Sequence, residues 1–302
     1  MELWIPITIA AAFSQNLRFM LQKHLKTTRL STGGATFSRF VVAAPLAILL
    51  VLILTGTGFR EMPGVTGRFF GFAMVGGVSQ ILATVCVVAL FSERNFTVGI
   101  TLKKTETMQT ALVGLVVLGE AVSPWGLVAI AIGLVGVVLL SDPPKTDLPR
   151  NWRTRLFNKA SGYGLASGAL FGVSAISYRG GLLALEGGDY LIRAALTLAF
   201  VTTYQLVIMS LWLRWREAGQ VSAVLRSWRV TSLVGLTGVI GSFCWFMAFT
   251  LQNAAYVKAL GQIELVFTFL ASWLVFKETS SGREIAGILL VISSILVLVL
   301  LL

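Results

Sequence analysis

The sequence predicts an all-α integral membrane protein with ten transmembrane helices, arranged as two inverted five-helix repeats. Three observations lead to this fold class: a strongly apolar composition, ten segments long enough to cross a bilayer, and a second half that repeats the first. The 302 residues are 56% hydrophobic and 12% charged, and their mean hydropathy is +0.85. Soluble domains usually carry about 25% charged residues, and a soluble fold of this composition would expose large apolar patches.

Ten apolar segments approach the roughly 20 residues that a helix needs to cross the hydrocarbon core. Short connections rich in Gly, Pro, Ser or charged residues separate most of them. We expect the first segment to be a span and not a cleaved signal peptide, because no basic stretch precedes it. The predicted spans are residues 3–22, 34–54, 69–91, 96–118, 124–141, 161–180, 189–213, 229–251, 255–276 and 283–302.

The longest polar stretch divides the chain almost in half. Residues 141–159 read SDPPKTDLPRNWRTRLFNK and contain three prolines and five basic residues. We interpret residues 142–160 as a basic cytoplasmic linker. It would join a first five-helix repeat at 1–141 to a second at 161–302.

A shift of 158 residues aligns the ends of the two halves without a gap. Cys86 then falls on Cys244, Glu106 on Glu264, Thr110 on Thr268, and Glu120 on Glu278. A shift of 154 aligns the second spans, where Arg39 meets Arg193. Because each repeat has an odd number of spans, the second repeat must enter the membrane in the opposite orientation. Inverted repeats are typical of transporters, whose binding site lies between the repeats near the midplane.

Basic loop residues are divided very unevenly between the two membrane faces. The loops after spans 1, 3, 5, 7 and 9 hold most of them, whereas the opposite face has Arg60, Arg68 and Arg179. The positive-inside rule therefore predicts that both termini lie on the outer side. Basic loops facing anionic lipid also explain the net charge of +11, so we expect no nucleic-acid partner. The expected location is a bacterial inner (plasma) membrane.

Two stretches at the repeat ends resemble those of a known family. They are TETMQTALVGLVVLGEAVSPWGLVAIAIGLVGVVLL and QIELVFTFLASWLVFKETSSGREIAGILLVISSILVLVL. Over nearly its whole length the chain resembles the drug/metabolite transporter superfamily, in particular its ten-helix EamA-type members. The resemblance implies a central cavity formed by spans 1–4 and 6–9, with spans 5 and 10 peripheral and available for pairing with a second copy. The family often has proline where Thr107 and Leu265 stand, and many members have cytoplasmic termini, so the chain departs from both patterns.

Charged side chains inside a bilayer are costly and usually face a cavity or a partner. Lys103, Glu106 and Thr110 lie on one face of predicted span 4, and Glu264 and Thr268 are the equivalents of the last two in span 9. We expect these residues to line a substrate path, where a carboxylate can bind a proton or an ammonium group. Alternatively, Lys103 and Glu106 pair at i, i+3 and only stabilise packing.

Further polar residues lie within other spans. These are Arg39, Arg193, Lys258, Gln15 and Asn16, and we predict that they belong to the same path. The excess of cations favours a substrate with a carboxylate or phosphate group. Alternatively, Arg39 and Arg193 extend to lipid headgroups, as we expect for Arg18, and Gln15 and Asn16 bond to a neighbouring helix. We expect Glu120 to accept hydrogen bonds around the turn that follows span 4.

The function that these patterns favour is secondary active transport of a small polar metabolite, such as an amino acid or related compound, by alternating access. No phosphate-binding loop for ATP is present, so proton coupling or exchange is the expected drive. The alternative is a flippase for a lipid or polyprenyl phosphate. One histidine and two cysteines, Cys86 and Cys244, predict no metal site, no cofactor and no intramembrane enzyme.

Overall fold

A computed structural model describes residues 2–56, 58–90, 103–140, 159–267 and 282–301. Throughout this part of the chain the fold is helical, and its one β-type contact is an isolated antiparallel bridge between Gly64 and Glu186. The predicted linker lies almost wholly outside the described residues, as do Thr268 and Glu278.

The helices described in the first half lie on the predicted spans, although the fourth covers only the later part of its span. They are α1 (Trp4–Thr28), α2 (Thr32–Gly56), α3 (Gly67–Leu90), α4 (Glu106–Leu118) and α5 (Pro124–Leu140). Local sequence sets several ends. Gly119 ends α4 in the left-handed conformation at φ 69°, which glycine adopts without steric cost. Pro124 begins α5, where its missing N–H is not needed.

Six further α-helices are defined within the described part of the second half. They are α6 (Lys159–Leu183), α7 (Tyr190–Arg216), α8 (Gln220–Arg226), α9 (Trp228–Leu251), α10 (Ala254–Leu260) and α11 (Gly282–Leu301), with a 3₁₀ turn at Gly261–Ile263 after α10. Asp189 caps α7 by accepting from Ile192 N, and Asn253 caps α10 by accepting from Ala255 N. Both are preferred N-cap residues.

Four helices in the described ranges are long and apolar enough to cross a membrane: α2, α3, α7 and α9. The helices α1 and α6 have 25 residues each, but polar residues in α1 and many glycines and serines in α6 lower their hydropathy. The helices α4, α5 and α11 are apolar over shorter stretches. The chain is therefore an α-helical membrane protein.

Two features differ from the predicted spans. The short helix α8 was expected to be loop, because its seven residues are too few to show a periodic pattern. The predicted helices at 96–118 and 255–276 are also interrupted. Residues 104–105 form a turn before α4 begins at Glu106, and the 3₁₀ turn interrupts the ninth span before Glu264. Apolar periodicity does not reveal such a break.

Helix packing joins the two halves of the chain throughout. The most extensive contacts pair α3 with α6, α5 with α11, α1 with α9, and α2 with α7. Small residues bring the helices together: a Cβ on Gly180 would lie 2.8 Å from Phe72, and one on Gly136 would lie 2.8 Å from the Gly287 carbonyl oxygen. Close approach at small residues is the usual way in which membrane helices pack.

Candidate functional site

A polar pocket lies where the two interrupted helices meet. It is lined by Gln15, Lys103, Lys104, Glu106, Thr107, Trp245, Lys258, Gly261, Gln262 and Glu264. The residues thus come from α1, from the start of α4 and the turn before it, from α9, and from α10 with the 3₁₀ turn after it. We call this set the lysine–glutamate pocket.

The ion pairs of this pocket cross from one half of the chain to the other. Lys258 Nζ lies 2.7 Å from Glu106 Oε1, and Lys103 Nζ lies 3.5 Å from Glu106 Oε2. Lys104 forms an ion pair with Glu264. Each glutamate therefore binds a lysine of the opposite half. All five side chains are at most 13% exposed, so bulk water contributes little to their solvation.

Aromatic rings surround the ammonium groups. Lys258 Nζ lies 4.4 Å from the ring centre of Trp245 and 5.8 Å from that of Phe249. Lys103 Nζ lies 5.2 Å from the ring centre of Phe171. These distances suit cation–π attraction, which strengthens when water is excluded. The rings therefore help to hold the lysine side chains in this arrangement.

Residues from two helix breaks line the pocket. The shift of 158 residues places the turn at 104–105 on residues 262–263 of the 3₁₀ turn, so the two breaks are equivalent positions. Gln262 Nε2 donates to Thr107 Oγ1 over 3.0 Å and joins them. A 3₁₀ stretch within a helix often marks a functional hinge.

The cavity is small in this conformation. Its volume of about 20 Å³ is room for about one water molecule. With all five charged groups ionised, three lysines and two glutamates leave one net positive charge. The site can therefore accept an anionic group, provided that the pocket widens and ion pairs rearrange.

The structure brings most of the predicted site residues to this place. Lys103, Glu106, Lys258, Glu264 and Gln15 line the pocket. Gln15 Nε2 lies 3.4 Å from Glu264 Oε2. Thr110 is buried one turn below, with its hydroxyl donating to the Glu106 carbonyl oxygen. Asn16 is half-buried on α1 beside Gln15. Thr268 lies outside the described residues.

The two predicted arginines occupy different surroundings. Arg193 donates to the carbonyl oxygens of Gly187, Gly188 and Leu182 at the start of α7, and it does not line the pocket. Arg39 is 2% exposed and donates to Ser242 Oγ over 2.6 Å. Burial excludes the alternative that Arg39 extends to lipid headgroups. The same expectation for Arg18 is wrong, since its side chain is 4% exposed.

Sequence reasoning did not single out Gln262 or Thr107 as pocket residues. A signal was available, because Gln262 is the equivalent of Lys104 at the shift of 158 and is polar within an apolar run. In the described part of the chain, no three His, Cys, Asp or Glu side chains are grouped so that they could hold a metal ion.

Comparisons with known proteins agree with this architecture. Residues 162–300 match the model of the EamA-like transporter family. The resemblance to EamA-type members of the drug/metabolite transporter superfamily is therefore confirmed over these residues, in agreement with the apolar helices of a membrane protein. No curated protein matches the sequence.

Solved structures share the fold. Twenty-nine chains of known structure match. One of them, described as "Crystal structure of protein", has a TM-score of 0.71 and 12% sequence identity, and the match covers 99% of this chain and 96% of that one. Identity at this level supports the fold alone.

Proposed function

We propose that this EamA-type chain is a secondary active transporter of a small polar metabolite bearing a carboxylate or phosphate group. The observation that carries the proposal is the lysine–glutamate pocket, in which charges from both halves pair across two equivalent helix breaks. Buried ionisable residues in a membrane protein mark substrate or ion pathways by default. Discontinuous helices commonly form the binding site of secondary transporters.

The proposed architecture is a pair of inverted five-helix repeats, residues 1–141 and 161–302, joined by the linker at 142–160. Helix packing supports it, because the pairs α1 with α9 and α3 with α6 are equivalent under exchange of the halves. The pairs α2 with α7 and α5 with α11 each map onto themselves, as expected for elements on a two-fold axis. The family match at 162–300 spans nearly the whole proposed second repeat.

The proposed mechanism is alternating access driven by exchange of ion-pair partners. An anionic group of the substrate would replace a glutamate at one of the lysines, and the released carboxylate would take a proton or an amino group of the substrate. Either change removes a link between the halves, which can then move about the midplane. The large desolvation cost of an unpaired buried charge couples substrate binding to this rearrangement.

A thermal-shift screen of the purified chain against amino acids, carboxylic acids and phosphate esters identifies the ligand, and uptake into liposomes then measures its transport. We expect Glu106→Gln and Glu264→Gln to lower transport by about tenfold or more, because charge-assisted hydrogen bonds contribute about 1.5–3 kcal/mol each. Both variants should keep the gel-filtration profile of the native protein.

The matched control is Glu61→Gln, since Glu61 is exposed in the loop after α2 and its change should leave transport unaltered. Normal transport by both pocket variants would sink the proposal. Competition of the ligand by lipids or polyprenyl phosphates, with flipping of the lipid and no uptake of soluble compounds, would favour the flippase alternative.

A further inference from the structure

Two buried arginines at the centre of the bundle have no carboxylate partner among the residues that the structure describes. Arg18 on α1 and Arg39 on α2 are 4% and 2% exposed. In the same described part of the chain, Arg18 Nη1 and Arg39 Nε and Nη1 have no hydrogen-bond partner. Several donor groups are therefore buried and unused, which is costly for any polar group and more so for a charged one.

The side chains of Arg18 and Arg39 both pack against Gly238 of α9. A Cβ on Gly238 of α9 would lie 3.1 Å from Arg39 Cγ and 3.6 Å from Arg18 Cδ. Gly238 is the eleventh of the 24 residues of α9, so the arginine pair lies near mid-helix. The glycine leaves the space that allows two cations to enter the middle of the bundle together.

The surroundings hold the arginines without neutralising them. Arg39 donates to Ser242 Oγ, and its Cζ lies 5.4 Å from the ring centre of Phe40. Arg18 Cζ lies 4.6 Å from the ring centre of Phe19. A hydroxyl and two aromatic faces orient the guanidinium groups, but they carry no negative charge. The Ser242 hydroxyl proton also remains available to an added acceptor.

The contrast with the lysine–glutamate pocket is one of charge balance. There, two glutamates offset two of three lysines. Here, two arginines have no acidic partner within the described ranges and repel each other. Arg18 and Arg39 do not line that pocket, but the two sites adjoin, because the ring centre of Phe19 lies 4.6 Å from Arg18 Cζ and 5.6 Å from Lys103 Nζ. From Gly238 to Trp245, which does line it, is seven residues, or about 10 Å along α9.

We propose that Arg18 and Arg39 form a binding site for a single oxyanionic group, a carboxylate or a phosphate. Each guanidinium offers paired N–H donors whose spacing matches two oxygens of such a group. The inference rests on the proposed function only in taking this anion to be part of the transported substrate. Anion binding itself can be measured without transport.

The competing account is a purely structural one, in which the serine contact and the aromatic faces satisfy the arginines. The two accounts predict opposite effects of neutral substitutions. If an anion completes the site, Arg39→Gln removes an unbalanced buried charge, so the anion-free protein should unfold at a higher temperature. If the arginine is structural, the same change should lower the unfolding temperature.

The experiment titrates the purified full-length chain with sodium phosphate and, separately, sodium acetate, with sodium chloride keeping the ionic strength constant. The unfolding temperature is recorded for the native protein and for Arg18→Gln, Arg39→Gln and Arg68→Gln. Arg68 is exposed at the start of α3 and is the matched control. We expect the unfolding temperature of the native protein to rise with the logarithm of oxyanion concentration, as for a ligand that binds only the folded state.

The rise should disappear in Arg18→Gln and Arg39→Gln and persist in Arg68→Gln. A rise in unfolding temperature with phosphate alone, with acetate alone, or with both supports the site and identifies which oxyanion it accepts. The proposal is overturned if no oxyanion shifts the unfolding temperature of the native protein beyond the chloride control, or if the shift persists in both Arg18→Gln and Arg39→Gln. An oxyanion shift in a protein that moves no solute into liposomes would keep this site and reject the transport proposal.

Discussion

Arg179 joins three helices through one side chain. Its Nε contacts both carboxylate oxygens of Glu120 at 2.6 and 2.8 Å, and Nη1 donates to the carbonyl oxygens of Phe249 and Gln252. It thereby links α6 to the end of α4 and to the last turn of α9. We expect Glu120 to accept hydrogen bonds around the turn after α4, and the bonds that it accepts come from Arg179 of α6. A sequence pattern identifies an acidic residue at a helix end, but not a partner 59 positions away.

We predict that Arg179→Leu lowers the free energy of unfolding by roughly 3 kcal/mol, because it leaves a largely buried carboxylate unpaired and two carbonyl groups without a donor. Thermal unfolding of the purified protein measures the effect. Arg179→Lys keeps the charge without the forked geometry, so its free energy of unfolding should lie between those of the native protein and Arg179→Leu. Arg214→Leu, an exposed arginine at the end of α7, is the control. Equal unfolding temperatures for native protein and Arg179→Leu would contradict the prediction.

The glutamates of the pocket could be found from sequence, whereas their partners could not. The shift of 158 residues identifies Glu106 and Glu264 as equivalent, and spacing along the chain suggests Lys103 as the partner of Glu106. The shorter contact of Glu106 is with Lys258, which is 152 positions away. Only the packing of the halves decides such a pairing. Arg18 illustrates the same limit, since burial depends on a glycine in α9.

At the scale of helices, apolar length predicted the positions of the spans and missed their interruptions. The 3₁₀ turn at Gly261–Ile263 lies in a mostly apolar run, so hydropathy continues across it, whereas the turn at 104–105 lies in the polar stretch KKTET. Their equivalence under the shift of 158 residues is what the proposed pair of repeats would produce. Small residues, by contrast, can be read directly from the sequence, and a glycine in α5 illustrates their role in helix packing.

The glycine at position 136 sets the distance between α5 and α11. An added Cβ would lie 2.8 Å from the carbonyl oxygen of Gly287, and a backbone atom cannot move aside as a flexible side chain can. We predict that Gly136→Ala destabilises the protein by about 1–3 kcal/mol, the usual cost of overpacking. Gly162→Ala in α6 is the control, because nothing lies within 4 Å of its Cβ position. Equal losses of thermal stability in the two variants would argue against this role.

For the whole molecule, cross-half contacts occur at both ends of the bundle. At one end, the loop before α3 meets the loop after α6: Gly64 and Glu186 exchange two backbone hydrogen bonds, and Arg60 contacts Asp189 at 2.5 Å. At the other end, Ser31 between α1 and α2 bonds to Gln220 beside the loop after α7. The repeat shifts relate these two sets of loops, but the first end uses paired backbone hydrogen bonds and the second a bond from backbone to side chain.

Alternating access requires that such closures open in turn, and a disulfide at one end tests this. Gly64 and Glu186 exchange paired hydrogen bonds, for which the Cα separation is about 5.5 Å, within the range that a disulfide spans. We predict that Gly64→Cys with Glu186→Cys, after replacement of the free Cys86 and Cys244 by serine, loses liposome transport on oxidation and regains it on reduction. Oxidation of either single-cysteine variant should have no effect. Full transport by completely cross-linked protein would show that this end stays closed throughout the cycle, and the rocking of the two halves would have to be abandoned.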